Sequence, residues 1–196
     1  MAEVFLRRLS RWQAEQQRED VATVYTACHE QARYQEQGST RDVGRGPGQA
    51  PYRIGGQERT EFLARFERHV QERDFDMVAA DSAAGLVGCL YGYRAAPETP
   101  DFAALRDVLP PAATAAAAAG RLFLLVELMV LPEHRRRRVA TRLRDLLLAR
   151  HGTDVVVTTL AAAPGEESAH EVLRAWSCTR LGAFGTPPRE AWLHPA

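Results

Sequence analysis

The segment Leu122-Phe-Leu-Leu-Val-Glu-Leu-Met-Val-Leu131, followed by Pro132-Glu-His-Arg135-Arg-Arg-Arg138 and Val139-Ala-Thr-Arg-Leu143, decides the architecture. Leu122 to Leu131 is apolar except at Glu127, as a strand covered on both faces requires. Pro132 ends it, because a locked φ and a missing N–H cannot continue a ladder. Beyond the arginines, Val139, Leu143, Leu146 and Leu147 recur at i, i+4, i+7 and i+8, the stripe of an amphipathic helix that Gly152 stops. Val155 to Leu160 is a second β-branched run, so the order strand, helix, strand predicts a right-handed crossover between two parallel strands.

A strand that ends in a basic turn and opens directly into a helix is built to hold an anion. The first N–H groups of a helix have no partner inside it, and the macrodipole adds about half a positive charge there. Arg135 to Arg138 bring fork-like donors to the same place, which suits a diphosphate.

Upstream, Val4 to Leu6 reads as a short strand, and Val21, Val24, Tyr25, Cys28 and Ala32 recur at helical spacing. Phe62, Leu63, Phe66 and Val70 mark one face of a second helix, with Glu61, Arg65, Arg68 and Glu72 on the other. Phe75 to Ala80 and Leu86 to Tyr93 read as a hairpin around Gly85. Residues 35–56 and 97–120 read as surface loops, the second too small and broken in composition for a core element, although its alanines permit a short helix. Glu166 to Trp176 reads as the last helix, with Val172, Leu173 and Trp176 on its apolar face and short extended pieces after it.

Composition narrows the function. Twenty-five basic and 25 acidic residues cancel, which excludes a nucleic-acid binder held by bulk charge. Every basic residue is Arg and Lys is absent, a bias that GC-rich coding accounts for. Cys28, Cys89 and Cys178 are odd in number and widely spaced, so neither a disulfide framework nor a zinc site is expected. With no long apolar run, a cytoplasmic protein without a membrane segment is expected, as one domain over residues 1–196.

Val130, Pro132, Arg135 and Ala140 resemble, in unbroken register, the motif V-x-P-x-x-R leading into (R/Q)-x-x-G-x-(G/A) of the GNAT superfamily of acyl-CoA-dependent N-acyltransferases. Trp176-Ser-Cys-Thr-Arg-Leu-Gly182 resembles a W-G-W-x-x-V-G stretch with which some members close. The resemblance implies a mixed, mostly antiparallel sheet with helices on both faces and a splayed parallel central pair. It implies acetyl-CoA as acyl donor, held by Met129, Val130, Arg135, Arg136, Arg137, Arg138, Val139, Ala140 and Thr141, with N–H groups near Met129 and Val130 polarising the thioester carbonyl. It makes Glu127 the expected general base. Tyr91 and Tyr93 are expected to line or pack the acceptor pocket. The acceptor is expected to be a small-molecule or peptide amine, with a homodimer open and no metal, nucleic acid or membrane partner.

Three positions depart from the pattern. Arg138 replaces a glycine, which a helical φ would tolerate. Leu173 replaces a tyrosine that protonates the departing thiolate, and no Asn occurs between Ala161 and Ser168. These departures keep a second reading in view, a non-catalytic acyl-CoA sensor or assembly protein. An RNA-binding domain would need aromatic residues interleaved with the arginines, which the segment lacks. His134, His151 and His170 have polar neighbours in sequence and are expected at the surface.

Overall fold

The computed structural model describes residues 3–39, 54–161 and 167–195. The chain begins with β1 (Phe5–Leu9), α1 (Arg11–Gln16), α2 (Arg18–Ser39) and α3 (Ile54–Gln71). The hairpin of β2 (Asp76–Ser82) and β3 (Gly85–Arg94) leads into α4 (Pro100–Leu105) and α5 (Pro111–Ala118). Then come β4 (Leu122–Val130), a 3₁₀ turn (Pro132–His134), α6 (Val139–Leu148) and β5 (Val155–Ala161). The last elements are α7 (Glu167–Ala175), β6 (Thr179–Phe184) and β7 (Arg189–Leu193). Among the described residues the strands form one seven-stranded sheet in the order β1-β2-β3-β4-β5-β7-β6, in which only the β4–β5 pairing is parallel.

Strand alternation assigns the layers. Met77 and Ala79 of β2 and Cys89 and Tyr91 of β3 face α2 and α3, joining Val21, Phe62 and Phe66, while Val78, Ala80 and Leu90 face α6 and join Val139, Leu143 and Leu147. The i, i+4, i+8 spacing of Phe62, Phe66 and Val70 puts all three on the buried side of α3.

Residues 97–120 correct the sequence reading. They form α4 and α5, and Phe102, Leu105, Leu109, Ala113 and Ala117 enter a core with Tyr93, Leu122, Leu124 and Val157. The alanines are small because α5 lies close to the sheet, and Pro and Thr start these helices rather than breaking them: Thr99 caps α4, and a proline opens each. The loop expected over 35–56 is helical at both ends, since α2 runs to Ser39 and α3 starts at Ile54; residues 40–53 lie outside the described residues.

The decisive irregularity lies in β4. Gly92 pairs with Leu125, but Tyr91 pairs with Glu127, so Val126 is an extra residue, a β-bulge. At this point a Cβ on Gly92 would collide with the Leu124 carbonyl and the Phe123 ring, and only glycine lets the backbones approach. Counted by strict alternation from Leu122, Glu127 would point into the α6 layer. The bulge instead places it on the α3 side, opposite Tyr91. Pairing of β4 with β5 covers Leu122 to Leu125 against Val155 to Thr158 and ends at the residue before the bulge. Beyond it the two strands diverge.

At the closed end of this wedge sits a buried chain of ionic groups. Arg8 of β1 bonds the Asp76 carboxylate and the Leu146 and Leu147 carbonyls at the end of α6. His151 joins Asp76 (3.2 Å) to Asp154 (2.9 Å), and Arg94 reaches Asp154 at 2.7 Å. Burial opposes ionisation of Asp76, but the bonds from His151 and Arg8 prevail and hold its carboxyl below the usual range. The expectation of a surface His151 is thus overturned, because two carboxylates satisfy both ring nitrogens in the interior. His134 is also buried, folded inward by the 3₁₀ turn, in which its N–H donates to the Leu131 carbonyl at 2.8 Å.

His194 is 6% exposed beside Trp176. Burial first, and the charge of Arg144 second, hold its imidazole down at about 4. A free histidine titrates near about 6.5. Between these values the unfolded chain takes up a proton that the folded chain refuses, so this contribution is present above pH of about 6.5 and is lost as the pH falls toward 4. His194→Gln should remove about 3 kcal/mol of that loss, read from urea midpoints near neutrality and near pH 4.

Candidate active site

The wedge between β4 and β5 opens into a cleft of ≈ 1780 Å³ bounded by α2, α3, the turn before α6 and α7. Two sets of groups face it.

The first is the turn and the start of α6. Arg138 is the N-cap of α6, makes no side-chain cap bond and has φ +59°, while Arg136 has φ +58°. This differs from the helical φ expected for Arg138: the turn needs a left-handed residue here, as a glycine would supply. Two arginines in this region store about 1–3 kcal/mol each. By contrast α1 and α4 are capped by Ser10 and Thr99. The first N–H groups of α6 therefore meet no side chain from its own cap, and no acidic residue stands in its first turn. Arg135, Arg136, Arg138, Val139, Ala140 and Thr141 line the cleft, and the exposed Arg137 does not. Arg135 donates from Nε to the Val130 carbonyl at 3.0 Å, so it braces the end of β4. Trp176 Nε1 donates to Thr141 Oγ1 at 3.3 Å and ties α7 to this turn.

Arg138→Gly should raise fold stability by about 1 kcal/mol net, since relief of strain outweighs the greater freedom of the unfolded glycine. Denaturant unfolding checks this, and coenzyme A affinity of the same variant reads the side chain separately.

The second set is the outer half of β4. The Leu131 N–H donates to Val87 at 2.9 Å. By the alternation of an antiparallel ladder, the N–H groups of Leu128 and Val130 then point away from β3, toward the gap, and that of Met129 points back to β3. Met129's side chain is buried under α2 and α3. Glu127, 17% exposed, meets Arg65 Nη2 of α3 at 3.3 Å. Cys28 of α2 donates its thiol to the Val130 carbonyl at 3.4 Å, and burial, only partly opposed by Arg135, pushes that thiol up, which keeps it a thiol and not a nucleophilic thiolate.

Tyr91 and Tyr93 are fully buried and do not line the cleft. Tyr91 packs against Phe66 and Phe75, with its hydroxyl 3.4 Å from His69 Nδ1, and Tyr93 enters the α4–α5 core. They lie behind the cleft wall rather than in it. Leu173 is buried with Trp176, Cys178 and Trp192 and forms part of the cleft wall. Part of the stretch without Asn, residues 162–166, lies outside the described residues. Arg65, Arg68, His69 and His134 also reach the cleft, although His134 was expected at the surface. Arg65 and Arg68 were legible through their place on the polar face of α3, and His69 gave no signal.

No protein-family model matches the chain, and no curated protein matches it in sequence. Solved structures do match in fold. The Pyrococcus horikoshii protein PH1933 superposes with a TM-score of 0.64 at 12% identity, covering 99% of both chains. An acetyltransferase of Thermus thermophilus gives 0.61 at 9%, covering 98% of this chain and 97% of its own. The PaiA N-acetyltransferase of Thermoplasma acidophilum, solved with coenzyme A, gives 0.60 at 11%, covering 99% of both. The chain has the fold of the GNAT acetyltransferases. Among the described residues no helix is long and apolar enough to cross a membrane.

Proposed function

We propose that the protein is a GNAT-type N-acetyltransferase that moves an acetyl group from acetyl-CoA to a primary amine. The observation that carries this reading is the uncapped start of α6, flanked by two left-handed arginines and opening on the gap where β4 leaves β5. Exposed N–H groups and guanidinium forks there fit a diphosphate, and the neighbouring PaiA enzyme binds coenzyme A. The donor supplies a thioester. Leu128 and Val130 N–H groups stand ready to bind a developing oxyanion. Glu127 accepts the proton that an ammonium must lose before its nitrogen can attack. The three buried, free cysteines suit a reducing compartment such as the cytoplasm.

Leu173 favours the second reading, a sensor without turnover, because a leucine in the cleft wall has no proton to give a departing sulfur. A thiol of pKa about 8.5 leaves tolerably as thiolate near neutrality, so turnover is expected to persist. The test is calorimetric titration with acetyl-CoA followed by coenzyme A release over a panel of amines and peptides. Binding with release supports the enzyme. Binding with no release from any acceptor establishes the sensor.

A further inference from the structure

The acceptor end of the cleft holds two opposite charges side by side. Arg65 Nη2 and Glu127 Oε2 are 3.3 Å apart, and both side chains line the cleft. The Arg65 guanidinium also lies over the rings of Tyr25 (5.6 Å) and Phe62 (5.5 Å), which fixes its plane. Its bond to Glu127 engages one of the five N–H donors of a guanidinium. Further along α3, Arg68 and His69 at i+3 and i+4 also reach the cleft, together with Glu67 and Glu72 of the same helix, so the wall around the Arg65–Glu127 pair carries both signs of charge.

A bare ammonium approaching Glu127 meets the positive charge of Arg65 at contact distance. An acceptor that carries its own anion beside the amine escapes this repulsion. In an α-amino acid the ammonium nitrogen and the carboxyl carbon are two bonds apart, about 2.5 Å, a spacing that matches a protein ion pair in direct contact. Its binding exchanges one pair within the protein for two crossed pairs and leaves no charge unmatched.

We infer that Arg65 is a specificity-determining residue that selects an α-amino acid as acceptor, taking the carboxylate while Glu127 takes the ammonium. This rests on the acetyl-transfer reading. The ammonium gives one proton to Glu127, and the nitrogen forms a bond to the acetyl carbon as the carbon–sulfur bond breaks. The nitrogen's second surplus proton goes to the departing sulfur through solvent, leaving an N-acetyl amino acid and free coenzyme A.

The experiment measures coenzyme A release by the full chain with acetyl-CoA and each of the protein amino acids. Each amino acid is paired with its carboxamide and its decarboxylated amine, with β-alanine and γ-aminobutyrate as spacing controls. A carboxamide's amine is deprotonated more readily than that of the parent acid, so intrinsic reactivity favours the amide. At least one amino acid should nevertheless exceed its carboxamide by about 10-fold or more in kcat/KM, with the spacing controls weaker. Arg65→Met should cut the amino acid's kcat/KM by about 10–100-fold, chiefly through KM, and collapse its advantage over the carboxamide. Arg65→Lys, which keeps the charge without the fork, should recover part of it. Amines and carboxamides turned over as well as acids, or an Arg65→Met loss shared equally by both members of each pair, overturns the inference and leaves acetyl transfer intact. No release from any acceptor despite acetyl-CoA binding removes acetyl transfer, and this inference with it.

Discussion

Glu127→Gln should lower kcat by about 10²–10⁴-fold while coenzyme A affinity stays within about twofold. Glutamine fills nearly the same volume, and the bulge that aims the side chain is set by backbone pairing, so the geometry survives. What disappears is a carboxylate that could accept a proton, and with it the negative partner of Arg65. The turn before α6 is made of other residues, which is why donor binding should be spared. Rates measured over about pH 6–9 decide the matter. A loss smaller than about fivefold throughout would leave Glu127 a strand residue that pairs with Arg65 and takes no proton from the acceptor.

Ala140→Glu should abolish measurable coenzyme A binding, a loss of at least about 10²-fold. Ala140 is the second residue of α6 and lines the cleft at the uncapped helix start. A carboxylate there accepts the same N–H groups a diphosphate would use and repels it as well. Unlike most disruptive substitutions, this one places a negative charge where the helix dipole favours it, by about 0.3–1 kcal/mol. Thermal unfolding should therefore show a folded variant, with calorimetry showing no heat of coenzyme A binding. Ala140→Gln separates charge from bulk and should retain part of the affinity. Equal affinity in a folded Ala140→Glu variant would move the donor site away from α6.

The crossover, the basic turn and the layer faces were legible because each rests on local rules: a nine-residue strand apolar but for Glu127, a proline stop and an apolar stripe from Val139 to Leu147, although the helix ends at Leu148, before Gly152. The bulge was not. Val126 and Glu127 differ in no way from an alternating pair until Gly92 on the neighbouring strand is known to face this point and let the backbones approach. Arg138 was misjudged for a related reason: a residue name carries no φ, and the left-handed turn becomes visible only in the backbone. The histidines show the limit of neighbour polarity as a guide. The residues that bury His151 are Asp76 and Asp154, and Asp76 lies 75 positions away in the chain. Tyr91 and Tyr93 stand on the expected strand, but α3 and α4–α5 cover that face completely there.

The bulge also divides the molecule mechanically. Strands β1 to β4 form one plate and β5, β7 and β6 another, and along their seam they share four residue pairs at one end. Two plates stitched so briefly need not open together: the plate of β5 to β7 can lose its amide protection against deuterium while the larger plate keeps its own. A molecule lodged in the seam touches both sides, so occupancy should slow exchange most in β5 and β7. The gap between the plates and their separate exposure to exchange in this way follow from one inserted valine.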